Sequence, residues 1–368
     1  MAGTPGSSNM TAQNITDRSQ VEPGRWMLRE IHEQPRALAR LCEAAGPQLR
    51  ALGRHLRRKP PIAVVLVERG SSDNAALYGR YIIETLWGLP VSLAAPSVLT
   101  VYGARLRLRR TLVIGLSQSG ASPDIVEFVE GARRRGALTV GITNREKSPL
   151  ARAAGEAVLL EAGPERSVAA TKTYTAQLTT LSLLVAEAAG ARRLVDRHRE
   201  LPELAAHTLA TEDRVREIAA GCRDIVECLV TSRGYNFATA REAALKLKET
   251  CYVMAEPLSS ADLLHGPIAV VERGFPVFLI APPGRAFRHL AQIASRLRRR
   301  RAHTVIISHD AGLLRGATDP LAVPVQVDEV LSPHIYVLPL QLLAYHLSRI
   351  RGLDPDHPRG LRKVTRVR

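Results

Sequence analysis

Six near-continuous apolar runs fix the class of this chain: IAVVLVE from Ile62, TLVIGLS from Thr111, ALTVGIT from Ala137, DIVECLV from Asp224, PVFLIAP from Pro276 and HTVIISH from His303. A strand with one face in water alternates polar and apolar residues, whereas uninterrupted runs belong to parallel strands covered on both faces. Helical patterns alternate with the runs, which gives an α/β chain with mostly parallel, doubly wound sheets flanked by helices. The chain also repeats itself. VERGSSDNAALYGRYIIETLWGLPVSLAAP from Val67 and VTSRGYNFATAREAALKLKETCYVMAEP from Val230 both run strand, Arg-Gly turn, helix, apolar strand. Each copy has a glutamate about fifteen residues after the turn, and a repeat of that length is a domain duplication, too long for a solenoid unit.

A length of 368 residues suits two such domains. The expected division is a disordered Ser/Thr/Gly/Asn-rich tail over 1–26, a first domain over 27–190 and a charged helical linker over 191–216. A second domain follows over 217–352, and a C-terminal tail over 353–368. The tail at the N-terminus has no apolar core of a signal peptide, and no apolar run reaches the roughly 18 residues of a membrane span. A cytoplasmic location is expected. Cys42, Cys222, Cys228 and Cys251 form no CxxC pair and have no histidine at ligand spacing, so reduced thiols and no metal are expected. The net charge of +16 raises nucleic-acid binding. Its arginines are scattered through helical segments (RLRLRR at Arg105, ARRRG at Ala132, RLRRRR at Arg296), with no nucleic-acid-binding motif beside them. A solvated basic surface is the simpler reading.

The segment REAALKLKETCYVMAEPLSSADLLHGP from Arg241 holds the densest chemistry. Helix spacing puts Glu242, Lys246 and Glu249 on one face, with Ala243, Ala244 and Leu247 on another. A carboxylate beside ammonium groups stays ionised, and His265 nearby can carry protons at neutral pH. The same face is also what a solvated salt-bridge ladder looks like. Likewise, a histidine before Gly-Pro is commonly a turn or packing residue. LSQSGASPD from Leu116 follows a strand and opens a helix. There backbone N–H groups and the hydroxyls of Ser117, Ser119 and Ser122 can pocket a dianion, with Gly120 letting the backbone come close. A turn with an N-cap has the same appearance.

Six strings in order, MLREIHEQP, LSQSGASPD, ERSVAATKTYTAQL, ALKLKE, LLHGP and PRGLRKVT, resemble the sugar isomerase (SIS) half of glucosamine-6-phosphate synthase and its relatives. The resemblance covers nearly everything after residue 26. It implies two tandem SIS domains, an amino-sugar phosphate substrate and no cofactor. It places Ser72, Ser117, Gln118, Ser119, Gly120 and Ser122 at the phosphate, and Val168 and Ala170 among the substrate contacts. Glu249 matches the base that moves a proton between C1 and C2. Lys246, one turn earlier, would stabilise charge on the enediol oxygen. His265 matches the ring-opening histidine, which in the family arrives from a neighbouring subunit, so a homodimer is implied. Lys363 matches the lysine that forms a Schiff base with the open-chain ketose.

The synthase carries a glutaminase domain before this half, whereas only about 25 polar residues precede MLREIHEQP here. The expected reaction is therefore that of the free-standing deaminases, glucosamine 6-phosphate to fructose 6-phosphate and ammonia. Ala170 stands where the synthase has a sugar-contacting serine, Ala121 replaces an acidic residue and Arg362 replaces an alanine. A fructosamine-phosphate deglycase, a synthase component served by a separate glutaminase subunit and a non-catalytic phosphosugar sensor stay open as alternatives.

Overall fold

A computed structural model describes residues 22–363. In the first sheet run β1 (Val64–Val67), β2 (Val91–Leu93), β3 (Leu112–Leu116), β4 (Leu138–Thr143) and β5 (Glu156–Leu159). In the second run β6 (Glu227–Ser232), β7 (Met254–Ser259), β8 (Pro276–Ala281), β9 (His303–Ser308) and β10 (Asp319–Ala322). Every pairing is parallel. The orders are β2-β1-β3-β4-β5 and β7-β6-β8-β9-β10, so the two sheets are wound identically, as a duplication requires. The six apolar runs are β1, β3, β4, β6, β8 and β9.

The helices that frame the site are α1 (Arg25–His32), α2 (Ser71–Ile82), α3 (Pro123–Arg134), α4 (Lys172–Ala189), α5 (Phe237–Cys251), α6 (Phe287–Arg299) and α7 (Ser332–Ile350). Helices α2, α4, α5 and α7 are buried among one another, and their apolar residues join the inner faces of both sheets in a single core. Helices α3 and α6 cover the outer faces with smaller cores of their own, around Phe128 and Leu297. The repeats therefore share an interior instead of meeting across a thin interface. Such an arrangement lets residues from both halves converge on one place.

Three details differ from or refine the sequence reading. Residues 1–21 of the expected disordered tail and residues 364–368 of the C-terminal tail lie outside the described residues. Arg25 and Trp26, assigned to the disordered tail, instead open α1, because the C-terminal segment satisfies that helix's free N–H groups. The stretch after α4 runs as helices Arg192–Arg197, Leu201–Leu209 and Glu212–Gly221. All four cysteines are unbridged, and burial pushes their thiols up to about 11 (Cys42, Cys251) or about 12 (Cys222, Cys228). Among the described residues no helix is long and apolar enough to cross a membrane, and no group of side chains is arranged to hold a metal.

Candidate active site

Strand order reverses direction between β1 and β3, and the crevice beyond the carboxyl ends of such a pair is where open α/β sheets bind ligands. The segment after β1 supplies Arg69 to Ser72, and the segment after β3 supplies Ser117 to Ser122. They border a cavity of about 390 Å³. Ser72, Ser117, Gln118, Ser119 and Ser122 all line it. Ser122 occupies the N-cap position of α3 without using its hydroxyl as a cap, which leaves that hydroxyl for a ligand. Gln177 on α4 donates to the Ser72 hydroxyl at 2.8 Å and orients it. Arg69 Nε donates to Asp124 Oδ2 at 2.8 Å across the mouth.

Gly120 does not line the cavity; it shapes the loop. Its φ is +61°, and a Cβ there would stand 2.3 Å from Ser148 Oγ and 2.7 Å from Thr143 Oγ1. Gly120→Ala is expected to cost more than about 1 kcal/mol, since strain and clash act together. Urea unfolding midpoints would show it.

The second half contributes α5. Glu242 and Lys246 are 0% and 1% exposed, while Glu249 is 24% exposed and reaches the cavity. The face is thus a buried charge network and not a solvated ladder. Glu242 accepts from Ser71 Oγ (2.9 Å) and Asn74 Nδ2 (2.8 Å) on α2. Lys246 Nζ donates to Glu249 Oε2 at 2.5 Å and lies 3.4 Å from Glu242 Oε1. Burial lowers a lysine's proton affinity, but here Glu242 and then Glu249 outweigh it and hold Lys246 above its ordinary value. Burial pushes the Glu242 carboxyl up, and Lys246 and Asn74 only partly offset this. Lys246 itself does not line the cavity; it fixes the Glu249 carboxylate from behind, and Lys248 points to solvent.

The tail closes the third side. Lys363 Nζ donates to Glu165 Oε2 at 2.8 Å and to the Ser167 carbonyl at 2.6 Å, and both Lys363 and Glu165 line the cavity beside Val168 and Ala170. Glu165 is fully buried and also accepts the N–H groups of Thr171 and Thr173 and the Thr173 hydroxyl. Burial alone would raise its carboxyl, yet Lys363 and these donors hold it below the ordinary 4.5. A depressed carboxylate stabilises the fold above its unfolded value, and that contribution is lost as pH falls through the folded value. The stability difference between wild type and Glu165→Gln should therefore be full above pH 4.5 and close on acidification, as read from urea midpoints.

Glu165, Gln177, Arg69 and Asp124 were not singled out from the sequence. His265 is the residue that the fold keeps apart. It ends the short helix Ser260–Leu264, is exposed, and does not line the cavity of its own chain. The matching crevice of the second repeat is lined differently. Pro282 and Pro283 stand after β8 where serines follow β3, and the Glu329 carboxylate itself accepts the N–H groups of Arg285 (2.9 Å) and Ala286 (3.4 Å).

The SIS domain profile matches residues 61–187 and 227–351, one match per sheet. The chain belongs to the SIS domain family. The glutamine–fructose-6-phosphate aminotransferase (isomerizing) of Methanothermobacter thermautotrophicus is 38% identical over 348 residues, covering 93% of this chain and 57% of that protein. The chain is homologous to the SIS half of that enzyme and spans less than three fifths of its length. Among solved structures, a Silicibacter pomeroyi DSS-3 protein provisionally described as a phosphosugar isomerase superposes with a TM-score of 0.81 at 37% identity. That match covers 90% of this chain and 99% of the other. The C-terminal domain of glucosamine-fructose-6-phosphate aminotransferase from Francisella tularensis gives 0.82 at 25% identity, over 93% and 99%.

Proposed function

We propose that this SIS chain is an aldose–ketose isomerase of an amino-sugar phosphate that converts glucosamine 6-phosphate and water to fructose 6-phosphate and ammonia. The observation that supports it is the convergence of Glu249, Lys363 and the serine loop on one cavity. The loop hydroxyls and amides take the phosphate, which leaves the sugar carbons extended toward Glu249. In the ring-opened aminoaldose, Glu249 removes the proton from C2 and returns it to C1, which makes the C2 imine of the ketose. Lys363 then adds to C2 as a free amine, ammonia leaves, and water hydrolyses the resulting Schiff base to the ketose and the free lysine. Exposed on its own chain, His265 would open the ring in a partner's cavity, so the reading includes a homodimer.

The same proton transfer run from fructose 6-phosphate and ammonia is the second reading. It is favoured by the 38% identity to a protein named as an aminotransferase. Purified protein incubated with glucosamine 6-phosphate should release ammonia and fructose 6-phosphate in equal amounts. Release of neither refutes the deaminase direction and leaves synthesis, with ammonia supplied, to be measured.

A further inference from the structure

The MLREIHEQP string has no part in the chemistry above, yet the structure sets it against every segment that holds Lys363. Helix α1 has no cap of its own: Gly24 stands at the N-cap, and no acidic residue lies in the first turn. The free N–H groups of Trp26 and Met27 are taken instead by Asp356, at 2.8 Å each, from the far end of the chain. Asp354 Oδ1 takes the Gly24 N–H at 2.9 Å. A carboxylate at a helix N-terminus gains from both the unsatisfied donors and the helix dipole. Asp356 is 2% exposed, so neither gain is diluted by water.

One turn along the same helix, Glu30 accepts the N–H groups of Arg166 and Ser167. Arg166 also lies 4.3 Å over the Trp26 ring. The loop gripped in this way is the one whose Glu165 carboxylate and Ser167 carbonyl receive Lys363. Its Val168 N–H in turn bonds the Asp356 carbonyl at 3.2 Å. Helix α1 therefore holds both surfaces that must meet: the tail by its N-terminus, and the docking loop by Glu30.

We propose that Asp356 is a positioning residue for Lys363, its carboxylate capping α1 across the chain and thereby fixing the tail so that the lysine reaches the cavity. The proposal rests on the Schiff-base role given to Lys363 above, and its test separates the two. Wild type and Asp356→Asn would be compared by hydrogen exchange with mass spectrometry, and by borohydride trapping of fructose 6-phosphate on Lys363. Glucosamine 6-phosphate turnover would be measured alongside. The amide removes the charge and one acceptor while keeping the shape. Exchange should quicken in peptides covering the first turn of α1 and residues 353–363, but not in those covering α5. Trapping should fall, and kcat should drop about 10²-fold with a smaller change in KM, the signature of a displaced reacting group.

Unchanged exchange in the tail overturns the proposal, as does quickened exchange with wild-type trapping. Wild type that traps no sugar refutes the Schiff-base reading, and the exchange comparison then decides by itself whether Asp356 fixes the tail. If Asp356→Asn does not fold, Asp354→Ala, which removes the acceptor of the Gly24 N–H, must quicken exchange in the same two peptides. No change there overturns the proposal equally.

Discussion

Glu249→Gln is expected to lower turnover by about 10²–10⁴-fold while leaving the fold and the phosphosugar affinity nearly intact. The amide fills the same volume and can still accept from Lys246, so the network behind it keeps its shape. What it cannot do is take up a proton. Because Glu249 is the carboxylate of α5 that reaches the cavity, no group on the same helix can stand in for it: Glu242 is sealed at 0% exposure. The measurements are kcat and KM for the isomerisation and the urea midpoint. A variant that turns over at the wild-type rate would remove Glu249 from the reaction.

Lys246→Met should have the largest effect on stability. It leaves the buried Glu242 carboxylate without the cation 3.4 Å away, and breaking a buried ion pair from one side costs about 3–5 kcal/mol. For a domain of this size that is a fall in Tm on the order of 5–10 °C. The double variant separates charge from packing. Lys246→Met with Glu242→Gln removes both buried charges, so most of the stability should return. Turnover should stay low, since Glu249 still lacks the ammonium that holds it at 2.5 Å. If the double variant is no more stable than the single one, lost packing and not an orphaned charge explains the cost.

What the sequence disclosed follows from how local each signal is. The six central strands announce themselves because burial on both faces leaves no room for polar residues. The edge strands β5 and β10, EAVL and DPLA, are four residues long and partly exposed, and carry no such mark. The α5 face was visible as a helical spacing of charges. Its burial was not, because it depends on Ser71 and Asn74 from the other repeat, more than 160 residues away. Glu165 and Gln177 escaped for the same reason: their partners Lys363 and Ser72 are 198 and 105 residues distant, and no periodicity links them. The ordered start of α1 depends on a cap that the chain supplies from its opposite end.

The most direct test of the account is proton exchange at C1 of fructose 6-phosphate. The sugar would be incubated with ammonia and the protein in deuterated water and its C1 methylene followed by NMR. Lys363 and Glu249 acting in one cavity predict that one of the two C1 protons is replaced by deuterium, and that Glu249→Gln abolishes the replacement. A C1 methylene that keeps both protons with wild type, or exchange that persists in Glu249→Gln, would contradict the assignment of this cavity to aldose–ketose proton transfer.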